Sequence, residues 1–190
     1  IFSIWLFLLT FFKPELLFLK TTTAGGDTAS HYYTVQYLKE VLLPQGKIMG
    51  WLPANYAGFP LFYHYFPLPF VLMALLGFII PLQISFKLVT VLGTFLLPLC
   101  VYLMFRVMRY EYPVSIMGGI FSLAFLFNER NSMWGGNIPS TLAGEFSFSF
   151  SLAVFVVFLA TFYRGITEDK HVILNAILFF FMGFSHGYTL

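Results

Sequence analysis

The sequence predicts an all-α, polytopic integral membrane protein with about five transmembrane helices, an amphipathic surface helix and a half-membrane segment. Of its 190 residues, 59% are hydrophobic and only 9% are charged. A soluble domain carries about a quarter charged residues, so this chain would leave too much apolar surface in water. The apolar residues are also grouped into runs separated by polar segments, and a spanning helix needs such a run. These runs cover 1–12, 67–80, 84–105, 113–127, 146–163 and 172–184.

The first run, 1–12, lacks an initiator methionine, a basic leader and a small-residue cleavage site. This pattern favours a transmembrane helix cut at its start over a signal peptide. The chain also stops abruptly at Leu190. We therefore expect 1–190 to form a single transmembrane domain that is a fragment of a longer chain, with the remainder of that chain as a partner.

A long polar stretch, 13–66, follows the first helix and is interrupted by glycines and prolines, so we interpret it as a first outer loop. Within it, 28–43 contains neither Gly nor Pro and places Tyr32, Val35 and Leu38 at helical spacing. Apolar residues on one face of such a segment are typical of a helix that lies at the membrane surface. We expect an amphipathic surface helix there.

The next segment, 67–81, predicts a half-membrane element. It is bounded by Pro67 and Pro81, which leaves about a dozen helical residues, or roughly 18 Å, against a hydrocarbon core of about 30 Å. A segment that does not cross puts the first outer loop, the second outer loop (128–145) and His186 on one side. The basic residues Arg106, Arg109, Arg164 and Lys170 then lie on the other side, which the positive-inside rule makes cytoplasmic. If the segment did cross, the first loop would lie on the cytoplasmic side with these residues.

Two acidic residues stand where Gly-rich segments turn into helices. Asp27 follows Gly25 and Gly26 and precedes the surface helix, and Glu145 precedes the run 146–163. Each has a structural explanation, Asp27 as a helix N-cap and Glu145 as an acid in a first helical turn. The alternative is a pair of functional carboxylates, because acids near membrane depth are costly unless they face a polar cavity or a partner.

Three histidines are expected on the same side as these acids: His31, His64 and His186. Imidazole and carboxylate groups together are suitable ligands for a divalent cation, but their spacing matches no short metal motif. The sequence therefore does not identify a metal, and a divalent cation is only a candidate cofactor. Interfacial histidines that bond to water or to the backbone are the simpler explanation of each one.

Further polar and aromatic side chains are candidate substrate contacts. Lys47 and Arg130 are suited to pairing with a lipid phosphate or with anionic head groups, and Trp134 and Asn137 lie in the second outer loop. The first loop also carries an aromatic cluster, typical of an interfacial belt or of a surface for a sugar ring or polyprenyl tail. Its members are Trp51, Tyr56, Phe59, Phe62, Tyr63, Tyr65 and Phe66.

The order of these features resembles the amino-terminal part of GT-C-fold glycosyltransferases, which include protein mannosyltransferases, lipid A aminoarabinose transferases and oligosaccharyltransferase catalytic subunits. Asp27 is similar to the acid of their first outer loop, and Phe66-Pro67-Leu68-Pro69 resembles the Pro-rich start of their next segment. Glu145 matches the position of the acid in their second outer loop. One difference is that this loop has a single acid where some members carry a paired acidic motif.

Three segments are more closely similar to uncharacterised membrane proteins of a family labelled 6-pyruvoyl-tetrahydropterin-synthase-related. They are Gly-Gly-Asp-Thr-Ala-Ser-His at 25–31, Ala-Gly-Phe-Pro-Leu-Phe-Tyr-His-Tyr-Phe-Pro at 57–67 and Leu-Ala-Gly-Glu-Phe-Ser-Phe at 142–148. The synthase itself is a small soluble enzyme with a zinc-binding histidine cluster that this apolar chain does not reproduce.

The GT-C resemblance implies a membrane glycosyltransferase that uses a polyprenyl-phosphate sugar donor at the non-cytoplasmic face of a prokaryotic plasma membrane or an endomembrane. Asp27 would be the general base or orient the acceptor, and Glu145 would position the acceptor or hold a metal. The alternative is a transporter or lipid-binding module whose polar cavity the same acids and histidines line. Membrane lipids are expected partners. Nucleic acid is not, because the net charge is only +2 and no Lys or Arg run is present.

Overall fold

Helices make up most of the structure, a computed structural model that describes residues 1–54, 56–130 and 132–190. A π-turn over Leu38–Leu42 continues the helix that begins at Thr28, and another over Thr141–Glu145 leads into the helix that begins at Phe146. The helices are α1 (Phe2–Phe12), α2 (Pro14–Phe18), α3 (Thr28–Tyr37), α4 (Leu68–Leu76), α5 (Leu82–Val107), α6 (Val114–Leu126), α7 (Ile138–Ser140), α8 (Phe146–Glu168) and α9 (Val172–Ser185).

Within the described residues, two helical stretches are long and apolar enough to cross a membrane: Leu82–Val107 and Ile138–Glu168. The other apolar helices, α1, α6 and α9, have 11, 13 and 14 residues. At 1.5 Å per residue, α6 is about 20 Å long. Every apolar run in the sequence therefore contains a helix, but only two of these helices reach the length of a full span.

A helix covers nearly the range that was predicted for the surface helix. After α3 and its π-turn, a 3₁₀ turn over Leu43–Gln45 leads to Gly46, whose left-handed φ of 68° ends the helix. Val35, Leu38 and Leu42 are buried and pack in one apolar cluster with α4 and the start of α5. This apolar face attaches the first outer loop to the bundle.

The fold is all-α as predicted, apart from a short β-hairpin in the same loop that the sequence did not predict. Strands β1 (Gly50–Leu52) and β2 (Phe59–Leu61) pair antiparallel, with Trp51 opposite Pro60. Leu52 and Leu61 are buried in the cluster that holds the surface helix. Three-residue strands are too short to show the period-2 alternation by which a strand is recognised in a sequence.

Helix α4 is shorter than the apolar run that predicts it. Its nine residues rise about 14 Å, roughly half of the hydrocarbon core. The chain leaves the helix at Gly77, before Pro81, and then starts α5 at Leu82. The Ser85 hydroxyl donates a 2.6 Å hydrogen bond to the Met73 carbonyl and fixes α4 against α5.

The bundle core lies between α5 and α8, which approach each other closely at Gly93. A Cβ atom built at this glycine would lie 2.5 Å from the backbone nitrogen of Phe150. Helix α1 packs on the same core, where the Trp5 indole donates a 2.9 Å hydrogen bond to the Phe95 carbonyl. Small residues at such contacts let helix backbones approach, as is common between membrane helices.

One end of this bundle carries a cluster of ion pairs centred on Glu168. Its carboxylate lies 3.0 Å from Arg109, 2.6 Å from Arg164 and 3.1 Å from Lys170. The C-terminal end of α5 and the turn between α8 and α9 meet here. The N-terminal ends of α3 and α8 lie at the opposite end of the bundle, with the C-terminal end of α9.

Candidate active site

The first and second outer loops meet at Asp27. Its backbone N–H donates a 2.8 Å hydrogen bond to the Ala143 carbonyl, and its own carbonyl accepts one of 2.9 Å from the His31 N–H. Gly26 makes this approach possible, because a Cβ atom there would lie 2.0 Å from the Ala143 oxygen. The contact joins residues more than a hundred positions apart and brings the two predicted acids to the same end of the bundle.

The Asp27 carboxylate does not act as a helix cap, although Asp27 occupies the N-cap position of α3. Among the described residues it accepts no capping hydrogen bond from the first turn of the helix. The nearby Thr28 hydroxyl bonds instead to the Gly25 carbonyl. Asp27 is solvent-exposed, so its carboxylate is available to a ligand.

Glu145 reaches the same place because the chain bends at Gly144. The φ of Gly144 is 129°, a conformation that L side chains rarely adopt. A Cβ atom at this position would lie 3.2 Å from the Asp27 Cβ and 3.3 Å from the His31 Cδ2, so Gly144 packs directly on both residues. The half-buried Glu145 carboxylate then lies within electrostatic range of Asp27.

His31 is enclosed by aromatic rings one helical turn after Asp27. It stacks on Tyr65 at 5.9 Å and meets the edges of Phe70 and Phe146, each at 5.3 Å. Burial lowers the pKa of His31, and the negative charge of Asp27 opposes this shift only in part. The imidazole is therefore neutral at pH 7 and presents one N–H donor and one nitrogen acceptor.

Tyr65 is held in its protonated form by its surroundings. Burial, followed by the charges of Glu145 and Asp27, raises the pKa of the Tyr65 phenol to about 12. The Ser147 hydroxyl lies close enough to oppose this shift. It is nevertheless buried and has no hydrogen bond of ordinary geometry to any residue that the structure describes. The site thus contains a phenol donor and an unsatisfied hydroxyl beside the two acids.

A cavity of about 310 Å³ opens beside these residues. Its lining includes the polar side chains of Ser30, His31, Thr34, His64 and Tyr65. The remaining walls are formed mainly by apolar and aromatic residues of β2 and α4, among them Phe59 and Phe70. A concave, largely apolar pocket with a few polar groups is typical of a small-molecule site.

His186 lies at the same end of the bundle but outside this cavity. The residue is 5% exposed and packs against Phe66 and Phe148, at ring separations of 4.9 and 5.4 Å. Its Nδ1 accepts a 3.3 Å hydrogen bond from the Tyr188 N–H. Burial lowers the pKa of His186, so its ring is neutral at pH 7.

The other four predicted substrate contacts lie in the flanking loops. Lys47 is exposed and donates to the Gln45 side chain at 3.3 Å, and Arg130 and Trp134 are also exposed. The Asn137 side chain accepts a 3.0 Å hydrogen bond from the Ser140 N–H and donates one of 2.7 Å to the Asn128 carbonyl. Asn137 thereby caps α7 and links it to Asn128 at the start of the second loop.

The structure also refines the metal and aromatic predictions. In the part of the chain that is described, no group of three or more His, Cys, Asp or Glu side chains is placed to hold a metal ion. The aromatic cluster divides into Phe59, Phe62 and Tyr65, which line the cavity, and exposed members such as Trp51 and Tyr63. The sequence predicted Tyr65 only as a member of the aromatic cluster, and its contact with His31 and its proximity to the two acids were not predicted.

Comparison with known proteins identifies the family. A family model described as the 6-pyruvoyl-tetrahydropterin synthase related domain, a membrane protein, matches residues 62–190, which is more than half of the chain. No curated protein and no solved structure matches. The matched region contains Tyr65, Glu145 and His186. The chain therefore belongs to the 6-pyruvoyl-tetrahydropterin-synthase-related family of membrane proteins.

Proposed function

We propose that this protein is a membrane glycosyltransferase of the GT-C type. It transfers a sugar from a polyprenyl-phosphate donor to an acceptor at the non-cytoplasmic face. In this proposal the five apolar helices α1, α5, α6, α8 and α9 form the transmembrane domain. Helix α4 enters the membrane without crossing it.

One observation carries the proposal: the two outer loops that hold Asp27 and Glu145 meet beside His31, a residue that lines a cavity. The Asp27 backbone bonds to Ala143, two residues before Glu145, and Gly144 packs on Asp27 and His31. The Asp27 side chain makes no capping hydrogen bond to the described residues and is exposed, whereas Glu145 is half-buried. This is the arrangement expected of a group that must meet an incoming substrate.

The transfer needs a base that takes the proton of the acceptor hydroxyl and a leaving group that is stable as an anion. The acceptor hydroxyl donates its proton to the Asp27 carboxylate while its oxygen attacks the anomeric carbon of the sugar. The bond between that carbon and the phosphate oxygen breaks, and the lipid phosphate departs with the bonding electrons. Exposed cations of the outer loops, Lys47 and Arg130, attract this anionic lipid to the site.

The other site residues position the two substrates. Glu145 accepts a hydrogen bond from a second hydroxyl of the acceptor, and the neutral His31 ring and the Tyr65 phenol supply further hydrogen bonds. The aromatic walls around His31 offer flat faces for a sugar ring. The two carboxylates lie within electrostatic range of each other and would repel an anionic acceptor. They therefore favour an acceptor that offers hydroxyl groups as hydrogen-bond donors.

The basic residues at the opposite end of the bundle support this orientation in the membrane. Arg109, Arg164 and Lys170 gather there around Glu168, in or next to the two short loops that follow α5 and α8. Short basic loops face the cytoplasm under the positive-inside rule. The acid site then faces the non-cytoplasmic compartment, where lipid-linked sugar donors are used.

The test is a transfer assay with the protein in its full natural length, reconstituted in proteoliposomes. Sugar-loaded polyprenyl phosphates are supplied one at a time with a membrane extract as acceptor source, and released polyprenyl phosphate is quantified by mass spectrometry. We expect release with at least one donor, in amounts that match the sugar transferred. Movement of intact donor between leaflets without any release would contradict the proposal and support the transporter alternative.

A further inference from the structure

A lysine, Lys87, is buried within the apolar helix α5. Lys87 is 5% exposed, and its Nζ donates hydrogen bonds to the carbonyls of Leu16 at 2.5 Å and Leu19 at 2.7 Å. Among the described residues, no carboxylate pairs with Lys87, since every ion pair in that part of the chain involves Glu168. A buried charge without a counter-ion is costly. The positive charge of Lys87 therefore needs an explanation beyond packing.

Part of the explanation is local. Leu16 and Leu19 stand at the C-terminal end of α2, where carbonyls lack helical partners and attract cations. This contact uses two of the three N–H donors of the ammonium group. The third N–H donor is not used in this contact, and the positive charge has no counter-ion among the described residues.

Lys87 also lines a cavity of about 250 Å³ that contains two unsatisfied hydroxyl groups. Thr23 and Thr90 line this cavity with it, and their Oγ1 atoms are buried without a hydrogen-bond partner among the residues described. Thr90 is 1% exposed. Hydroxyls rotate and can both donate toward one oxygen-rich ligand. An ammonium N–H and two free hydroxyls around one cavity form a set of donors that suits an anion.

The shape and position of this cavity indicate which anion. Phe12, Leu16 and Leu17 form an apolar wall on the side of α1 and α2. Leu142, on the other side, directly precedes Ala143, the residue bonded to Asp27. The cavity therefore combines polar donors with an apolar wall, as a lipid carrying a phosphate would require, and Leu142 connects it to the loop that contacts Asp27.

We infer that the cavity lined by Lys87, Thr23 and Thr90 binds the phosphate group of a lipid. Binding of the phosphate does not depend on the transfer reaction. The choice of an isoprenoid lipid, and the assignment of the cavity as the phosphate subsite of the sugar donor, rest on the proposed function. Two hydrogen bonds from α5 and one from the first loop would hold the phosphate beside the acid site.

The experiment measures binding of farnesyl phosphate to the purified full-length protein in neutral detergent, by isothermal titration calorimetry, with no sugar or acceptor present. Thr90→Val removes a hydroxyl that has no partner in the free protein, so the variant should fold at least as well as the wild type. We expect its Kd for farnesyl phosphate to rise about tenfold, because a hydrogen bond to a charged group is lost.

Thr94→Val is the matched control. Thr94 is one turn further along α5, is 0% exposed and also has a buried hydroxyl that no described residue satisfies, but it is not part of the cavity lining. Its Kd should equal that of the wild type. Equal affinities of all three proteins, or equal losses in both variants, would overturn the inference.

Three further comparisons test the charge and identify the source of the anion. Lys87→Arg keeps the positive charge and N–H donors and should keep most of the affinity, whereas Lys87→Met has neither and should lose it. Farnesol, which lacks the phosphate, should not compete, and competition equal to that of farnesyl phosphate would overturn the site. Inorganic phosphate should bind at least tenfold more weakly than farnesyl phosphate, and equal affinity would contradict the lipid assignment. Because these measurements need no catalysis, they separate failure of this site from failure of the proposed transfer.

Discussion

Asp27 combines a structural position with a side chain that this position does not use. Its backbone starts α3 and bonds to Ala143, while its carboxylate caps nothing in the described chain. Because the carboxylate is exposed and makes no capping hydrogen bond within that part of the chain, we expect it to contribute little to stability. Its retention is then better explained by function than by folding.

Asp27→Ala should therefore barely change stability. Loss of a working N-cap costs typically about 1 kcal/mol, but here we expect less than about 0.5 kcal/mol. Asn137→Ala is the positive control, because the Asn137 side chain does cap α7. Thermal unfolding in detergent compares the two variants. A clear loss of Tm for Asp27→Ala, equal to that for Asn137→Ala, would show that Asp27 is mainly a cap.

His31 should make stability dependent on pH. Burial lowers the pKa of His31 in the folded protein below its unfolded value of about 6.5, so the unfolded chain binds the proton first as the pH falls. Stability is then full above the unfolded pKa, falls as the pH drops from 6.5 toward the folded pKa, and levels off below it. His186 contributes a decrease of the same sign.

The measurement is Tm between pH 7.5 and pH 5 for the wild type and His31→Gln. We expect the fall in Tm to be smaller in the variant, with the remainder removed by adding His186→Gln. An identical fall in the wild type and the double variant would mean that neither imidazole is held neutral by burial.

At the scale of the elements, the apolar runs located the helices well because burial and membrane depth both demand continuous apolar sequence. The surface helix was found for the same reason. The hairpin was not, since strands of three residues carry no periodic signal and their burial depends on the distant Val35 and Leu38. Lys87 was also missed, although a charge inside the apolar run 84–105 was visible in the sequence.

The α5–α8 contact should depend on Gly93. Adding a methyl group there places a Cβ atom 2.5 Å from the Phe150 nitrogen, so we expect Gly93→Ala to lose about 1–3 kcal/mol despite the better helix propensity of alanine. Gly183→Ala in α9 is the control, because its Cβ would meet only the Leu190 side chain at 3.4 Å. Thermal unfolding of both variants tests this, and equal stability would exclude tight packing at Gly93.

At the scale of the whole molecule, the acids lie at one end of the bundle and the Glu168 ion pairs at the other. The sequence predicted this separation through the topology, but it could not predict the contact itself. The approach of Asp27 to Ala143 depends on the backbone conformations of Gly26 and Gly144, each set by packing against the other loop. A contact between residues so far apart leaves no periodic pattern in the sequence from which it could be predicted.

Cysteine labelling in intact cells tests the separation. In a Cys100→Ser background, we expect Gln45→Cys and Met133→Cys, one exposed residue from each outer loop, to react with a membrane-impermeant maleimide. Thr167→Cys, exposed near the ion-pair cluster, should react only after the membrane is permeabilised. Labelling of Gln45→Cys and Met133→Cys from opposite sides would mean that 67–80 crosses the membrane and that the two loops do not meet.

The most direct test of the proposed function is the transfer rate of Asp27→Asn in the full-length protein, measured as released polyprenyl phosphate. Asp169→Asn, at the opposite end of the bundle, is the matched control for the loss of one negative charge. At equal expression and membrane insertion, we predict that Asp27→Asn abolishes release and that Asp169→Asn keeps the wild-type rate. Full activity of Asp27→Asn would contradict its role as the base.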